Sequence, residues 1–206
     1  MLEKFKKCLS LKNEYIHLES DGSFVTNRDG KKLYIYFEWS NGVKDWVNNF
    51  RFFALPIRPY KDMKKGGWFC HRGFLKVWKS IEPHLVEEIR DPSVEEIEIV
   101  GYSHGAAIAQ LCYEYVKFHR QDVVVTGVGF GSPRVVWGIL SKAAKERFKG
   151  FKVVRNCKDI VTHLPPVIFG YRHTGEVIKI GVHSQGLIDD HRPSNYIDSL
   201  EDEEAL

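Results

Sequence analysis

The chain has 206 residues, 43% of them hydrophobic and 28% charged, with a formal net charge of +3 at pH 7. That length suffices for one domain with a sizeable core and is short for two. The slight positive excess forms no block of like charge, which removes the electrostatic case for nucleic-acid binding, and no apolar run is long enough to span a bilayer.

Residues 1–32 read as an N-terminal extension packing on the core. The opening twenty carry early lysines but no continuous apolar stretch of the kind a secretory signal needs, so a cytoplasmic protein is expected, with export lacking such a signal left open. Cys8, Cys70, Cys112 and Cys157 are scattered, without a CxxC pair or metal-ligand spacing, and read as reduced core thiols. β-rich runs come next at 33–37, 97–101, 123–130, 152–155 and 176–180, most of them nearly continuous in Val, Ile and Tyr, as strands buried on both faces are. Between them, Phe74, Val77, Trp78, Ile81, Leu85 and Ile89 recur with helical period, and Pro83 predicts a kink or a split in that helix. Ile108, Leu111, Cys112, Tyr115 and Val116 mark a second amphipathic helix, and a third is predicted over 135–148. Strands alternating with helices predict an α/β sheet, and the lack of repeats or of a Gly-, Ser- or Pro-rich linker predicts a single domain.

The most informative stretch is IEIVGYSHGAAIAQL. A strand runs into Gly101-Tyr102-Ser103-His104-Gly105 and straight out into a helix, which is G-x-S-x-G in the context its chemistry requires. The turn projects the Ser103 hydroxyl away from the sheet. Gly101 and Gly105 have no Cβ to collide where strand and helix approach, and the helix N-terminus adds amides and a positive dipole end near a developing oxyanion.

Around this turn the chain resembles the class 3 lipases, the family of fungal triacylglycerol lipases and their bacterial relatives. CHRGFLKVWKSI resembles the family's His-x-Gly-Phe helix before the nucleophile strand, and VGFGSPRVV the strand and turn after the nucleophile helix. VVRNCKDIVTHLPP resembles the segment with the catalytic aspartate, GYRHTGEVIKI the hairpin strand after it, and DDHRPSNYIDSL the block with the catalytic histidine. The resemblance implies an α/β-hydrolase fold, a central and mostly parallel sheet flanked by helices, over residues 33–200; the acidic run within 201–206 reads by itself as a solvated tail. It implies Asp159 and His191 as partners of Ser103, in the chain order of α/β-hydrolases. On the residues alone, Asp159 is equally a cap of the turn before Val161, and His163 and His183 compete with His191.

For the oxyanion hole, the expected donors are the His104 amide and, by resemblance, Ser40 in LYIYFEWSNGVKDW. There Glu38 and Trp39 replace the family's Arg and Gly. Val43, Trp46, Val47 and Phe50 recur at i, i+3, i+4, i+7, one apolar stripe of a short helix. In the family this region is a lid over the serine; an ordinary core-packed helix fits the same spacing. The resulting expectation is a serine carboxylic ester hydrolase acting on lipid or short acyl esters through an acyl-enzyme. It would use no metal or organic cofactor and could touch a lipid surface transiently. Two alternatives keep the fold: a catalytically inactive interaction module, favoured by the altered Glu38-Trp39, and an acyltransferase or thioesterase using the same three residues.

Overall fold

The structure is a computed structural model that describes residues 1–19, 22–38, 55–60 and 67–205. A seven-stranded sheet organises it. Its strands are β1 (Ile16–His17), β2 (Ser23–Asp29), β3 (Lys32–Phe37), β6 (Glu96–Tyr102), β7 (Val124–Phe130), β9 (Phe151–Asn156) and β11 (Glu176–Ile180), in that spatial order. From β3 to β11 all pairings are parallel, while β1 and β2 join antiparallel at one edge.

The strand pleat divides the side chains between two cores. Leu33, Ile35, Phe37, Ile97 and Ile99 face a layer holding helices α2 (Arg72–Arg90), α3 (His104–His119) and α4 (Lys142–Phe148). Tyr36, Val100, Tyr102, Val128 and Phe130 face the other side, where α1 (Leu2–Ser10) and α5 (Pro193–Glu204) supply Phe5, Cys8, Tyr196 and Leu200. The predicted mostly parallel α/β sheet with helices on both faces is therefore what the chain forms.

The central helix α3 differs from the amphipathic expectation, since every residue from Gly105 to Val116 is buried. Its buried polar side chains are partnered among the described residues, apart from Gln110 Oε1. Gln110 Nε2 donates to the Thr174 carbonyl at 3.1 Å, and the Glu114 carboxylate takes 2.5 Å bonds from Arg147 and from the Tyr60 hydroxyl. In α2, Pro83 sits inside a continuous helix and does not split it.

A second, four-stranded sheet lies apart from the main one and has no counterpart in the sequence reading. It is built from β10 (Tyr171–Arg172), β8 (Val136–Trp137), β5 (Phe69–His71) and β4 (Pro56–Ile57), all antiparallel. This sheet corrects the helix expected over 135–148: Val136 and Trp137 pair between β5 and β10, and α4 starts only at Lys142, after Ser141 caps the Ala144 amide at 3.2 Å. The acidic residues read as a tail are also placed differently. Glu201, Asp202, Glu203 and Glu204 form the last turn of α5, with Glu201 bound to Lys6 and Glu204 to the Met1 amino group. All four cysteines are free thiols, three of them buried.

Candidate active site

Five parallel strands, β3, β6, β7, β9 and β11, end at one edge of the sheet, and the site is assembled from the turns and loops that leave them there. β6 ends at Tyr102 and turns into α3 through Ser103, which adopts φ 56° and ψ −123°. That is a left-handed conformation a serine adopts only when its surroundings hold it there. The Ser103 amide donates to the Phe130 carbonyl of β7 at 2.9 Å, and the Ser103 carbonyl accepts from Ala106. The two flanking glycines are required by space. A Cβ on Gly101 would lie 2.4 Å from the Gly105 carbonyl oxygen, and one on Gly105 would lie 2.3 Å from the Glu38 carbonyl oxygen.

Although it caps α3, the Ser103 hydroxyl makes no capping bond to the helix. It donates instead to His191 Nε2 at 2.8 Å. On the far side of the ring, Nδ1–H donates to Asp159 Oδ2 at 2.8 Å. This tautomer is set by the network, because a carboxylate can only accept. All three side chains are buried. The sequence-predicted trio, with Ser103 and His191 88 positions apart, thus forms one continuous hydrogen-bonded line.

Each member is held by its own chain segment. Asp159 opens a 3₁₀ turn (Ile160–His163) after β9, and its Oδ1 accepts from the Val161 amide at 2.9 Å. The two roles that the residues alone leave open for Asp159 therefore belong to different oxygens of one carboxylate. Its Oδ2 also takes a 2.6 Å bond from the Tyr196 hydroxyl, which in turn accepts from the Asn156 amide at 3.1 Å. Burial, then the neighbouring Asp159 charge, drives the Tyr196 phenol far above its ordinary pKa, so it remains a donor. The rival histidines are elsewhere: His163 Nδ1 meets the Asp159 backbone carbonyl, not its carboxylate, and His183 is exposed.

His191 closes a 3₁₀ turn (Asp189–His191) just before α5. The Tyr102 ring stacks on its imidazole with centroids 5.2 Å apart and 21° between planes, and the Tyr102 hydroxyl donates to the His191 carbonyl. Asp190 fastens the loop. Its carboxylate accepts from the Lys158 amide at 2.9 Å, the Ser184 hydroxyl at 2.6 Å and the Gln185 amide at 2.7 Å. Burial pushes that carboxyl up, but these bonds outweigh it and hold it below the ordinary carboxylate value. Gly131, at φ 60°, lies against the trio, where a Cβ would come within 2.8 Å of His191 Cε1. Sequence reasoning assigns no role to Gly131, Tyr102 or Asp190. The only signal for any of them is the glycine of Gly-Ser-Pro-Arg.

His104 is the first residue of α3, so its amide sits at the positive end of the helix beside Ser103. Its ring lies against Phe74, with centroids 5.6 Å apart. The other oxyanion candidate, Ser40, and the stripe Val43, Trp46, Val47 and Phe50 lie outside the described residues.

The family model for Lipase (class 3) matches residues 34–169, more than half of the chain. The chain belongs to the class 3 lipase family. Among curated relatives of this chain, the lipase of Rhizomucor miehei is 28% identical over 164 residues, 75% of this chain and 43% of the relative. Secreted mono- and diacylglycerol lipase 1 of Fusarium solani is 26% identical over 159 residues, 74% of this chain and 45% of the relative. The chain therefore spans less than half the length of these relatives. A solved triacylglycerol lipase, described as having a serine protease triad as its catalytic centre, shares the α/β-hydrolase fold. Its TM-score is 0.71 at 21% identity, over 86% of this chain and 77% of that one.

The same comparison corrects the expected compartment. Relatives of this chain from Fusarium and Malassezia are named as secreted lipases, which points away from a cytoplasmic protein. The cytoplasmic expectation is drawn from the opening twenty residues alone, and that basis is too narrow to hold it.

Proposed function

We propose that this chain is a carboxylic ester hydrolase in which Ser103, His191 and Asp159 act as nucleophile, general base and orienting carboxylate. The observation that carries the reading is the buried line from the Ser103 hydroxyl to His191 Nε2 and from Nδ1 to Asp159, each link 2.8 Å. Hydrogen-bond reach between nucleophile and base, with a third group turning the base, is the geometry that acyl transfer needs.

Ser103 Oγ attacks the ester carbonyl while its proton passes to His191 Nε2. The tetrahedral oxyanion collapses, the carbon–oxygen bond to the alcohol breaks, and His191 returns the proton to the leaving alkoxide. Water then repeats the sequence on the acyl-enzyme and releases the carboxylic acid and free Ser103. Asp159 stabilises the imidazolium formed in each half-reaction. The His104 amide, at the helix N-terminus, serves the oxyanion together with Ser40. The strained φ of Ser103 keeps its hydroxyl pointed at the ring through both halves.

Lipid or short acyl esters are the proposed substrates, in keeping with relatives named as lipases and as mono- and diacylglycerol lipases. Loops leaving the same edge of the sheet as Ser103 expose Val167, Ile168, Leu187 and Ile188, apolar side chains suited to brief contact with a lipid surface. The stripe Val43, Trp46, Val47 and Phe50 is proposed to line the acyl path. Within the domain, residues 33–200 are proposed to carry the hydrolase and residues 1–32 to support it.

Hydrolysis of a p-nitrophenyl ester series from acetate to palmitate tests this directly. Wild type is expected to turn over, with Ser103→Ala slower by about four to six orders of magnitude in kcat. Equal rates for the two proteins on every ester would remove the catalytic reading.

A further inference from the structure

Glu38 marks a departure from the family pattern: the resemblance calls for arginine, and a carboxylate stands there instead. It comes directly after β3 and is only 8% exposed. Burying a carboxylate costs several kcal/mol unless it is partnered. Its partner is His17 of β1, with Nδ1 3.2 Å from the carboxylate. The same ring nitrogen lies 2.8 Å from the Ser23 hydroxyl, and the Glu38 amide donates to the Ser23 carbonyl at 3.2 Å. Since His17 and Ser23 face each other across β1 and β2, the edge of the sheet grips residue 38 by side chain and backbone together.

The groups of α1 and the turn after it near this carboxylate add no charge. Burial pushes the Cys8 thiol up to about 12 and drives the Tyr15 phenol up as well. Among the described residues, His17 is the basic side chain within ion-pair reach of Glu38.

The other end of residue 38 touches the nucleophile turn. Its carbonyl oxygen, with that of Phe37, occupies the space that a Cβ on Gly105 would enter at 2.3 and 2.4 Å. Gly105 is the second residue of the helix that Ser103 begins. A short path of contacts therefore runs from His17 through Glu38 to the turn carrying Ser103.

We infer that His17 and Glu38 form a positioning pair, which seats the end of β3 against the nucleophile turn and so sets the geometry on the oxyanion side of Ser103. His17 and Ser23 precede the residues that match the family, so this chain supplies from its N-terminal hairpin a support for a site built by the family segment. The inference rests on the hydrolase reading above.

The test compares wild type, His17→Gln, Glu38→Gln and the double variant on a short p-nitrophenyl ester, with thermal unfolding of each as a check on folding. His17 is largely exposed, so its variant keeps the experiment sound even if Glu38→Gln unsettles the core. Each single change is expected to lower kcat about ten- to a hundredfold with KM nearly unchanged. The double variant should be no worse than the poorer single, because the pair acts as one unit. His17→Lys, which presents an N–H donor to Glu38 in place of the ring, should keep most of the wild-type rate. Unchanged kcat in both singles, multiplying losses in the double, or a change confined to KM would overturn the inference in an active wild type. An inert wild type would instead remove the hydrolase reading and the inference with it.

Discussion

Two loops leave the same edge of the sheet, one after β9 and one after β11, and each is organised around a buried aspartate. Asp159, in the first, spends one carboxylate oxygen on its own turn and the other on a ring and a phenol from elsewhere in the chain. Asp190, in the second, spends both oxygens on hydrogen bonds from the Ser184 hydroxyl and the Lys158 and Gln185 amides. One carboxylate orients a side chain and the other orients the backbone that carries that side chain. Nearly equal burial therefore conceals unequal functions. The imidazole of His191 depends on Asp159 for its tautomer and on Asp190 for its place.

Asp159→Asn breaks the first dependence and carries the larger effect. An amide oxygen can still accept from Nδ1, but the amide NH₂ can equally donate to it. The second choice moves the ring proton to Nε2, where it faces Ser103 and cannot take the serine proton. A loss of roughly three to four orders of magnitude in kcat is expected, with thermal stability far less affected. A loss below about tenfold would show that Asp159 does not set the tautomer.

Asp190→Asn breaks the second dependence. Three donors then face an amide that supplies one acceptor oxygen, so at least one part-buried donor loses its partner, at a cost of about 1 kcal/mol. Denaturant unfolding should report that loss, and kcat should fall about tenfold as the His191 turn loosens. If activity falls as far as for Asp159→Asn, the division of labour between the two carboxylates is wrong.

This division also explains what the sequence could reveal. Ser103, Asp159 and His191 stand out because their chemistry demands particular residue types in recognisable local contexts, a strand–turn–helix or a block of fixed spacing. Asp190 adjoins His191 yet gives no signal, because its partners are a hydroxyl and two backbone amides, and amides look alike in any sequence. Tyr102 reaches the His191 carbonyl across 89 positions and Tyr196 reaches Asp159 across 37, separations that no local period encodes. The long parallel strands are legible from their continuous apolar runs. The small sheet is not, since strands of two or three residues leave no period to count. Trp137 consequently reads as helical in the sequence, although the helix begins only at Lys142.

A third histidine extends the comparison with the smallest expected effect on the reaction. His173 comes just after β10, and its Nε2–H donates to the Thr162 carbonyl at 2.7 Å, while the Thr162 hydroxyl donates to the Asp159 carbonyl at 2.8 Å. It thus anchors the Asp159 loop from outside. Burial, reinforced by the charges of Arg155 and Arg134, outweighs its hydrogen bond and brings its pKa down to about 4. Between pH 6.5 and 4 the unfolded chain takes up a proton on this ring that the folded chain refuses, so its stabilising contribution is complete above that window and is lost as pH falls through it. Urea unfolding at about pH 7 and pH 5 should show wild type losing about 2 kcal/mol from this group alone. His173→Asn keeps a donor for Thr162 without a titrating ring, and its stability should be flatter by that amount. Activity at neutral pH should change little, because the anchor acts on the loop backbone and not on the ring that meets Ser103. Equal acid sensitivity in the two proteins would move the source of the slope to other groups and show that His173 takes up its proton equally in the folded and unfolded chain.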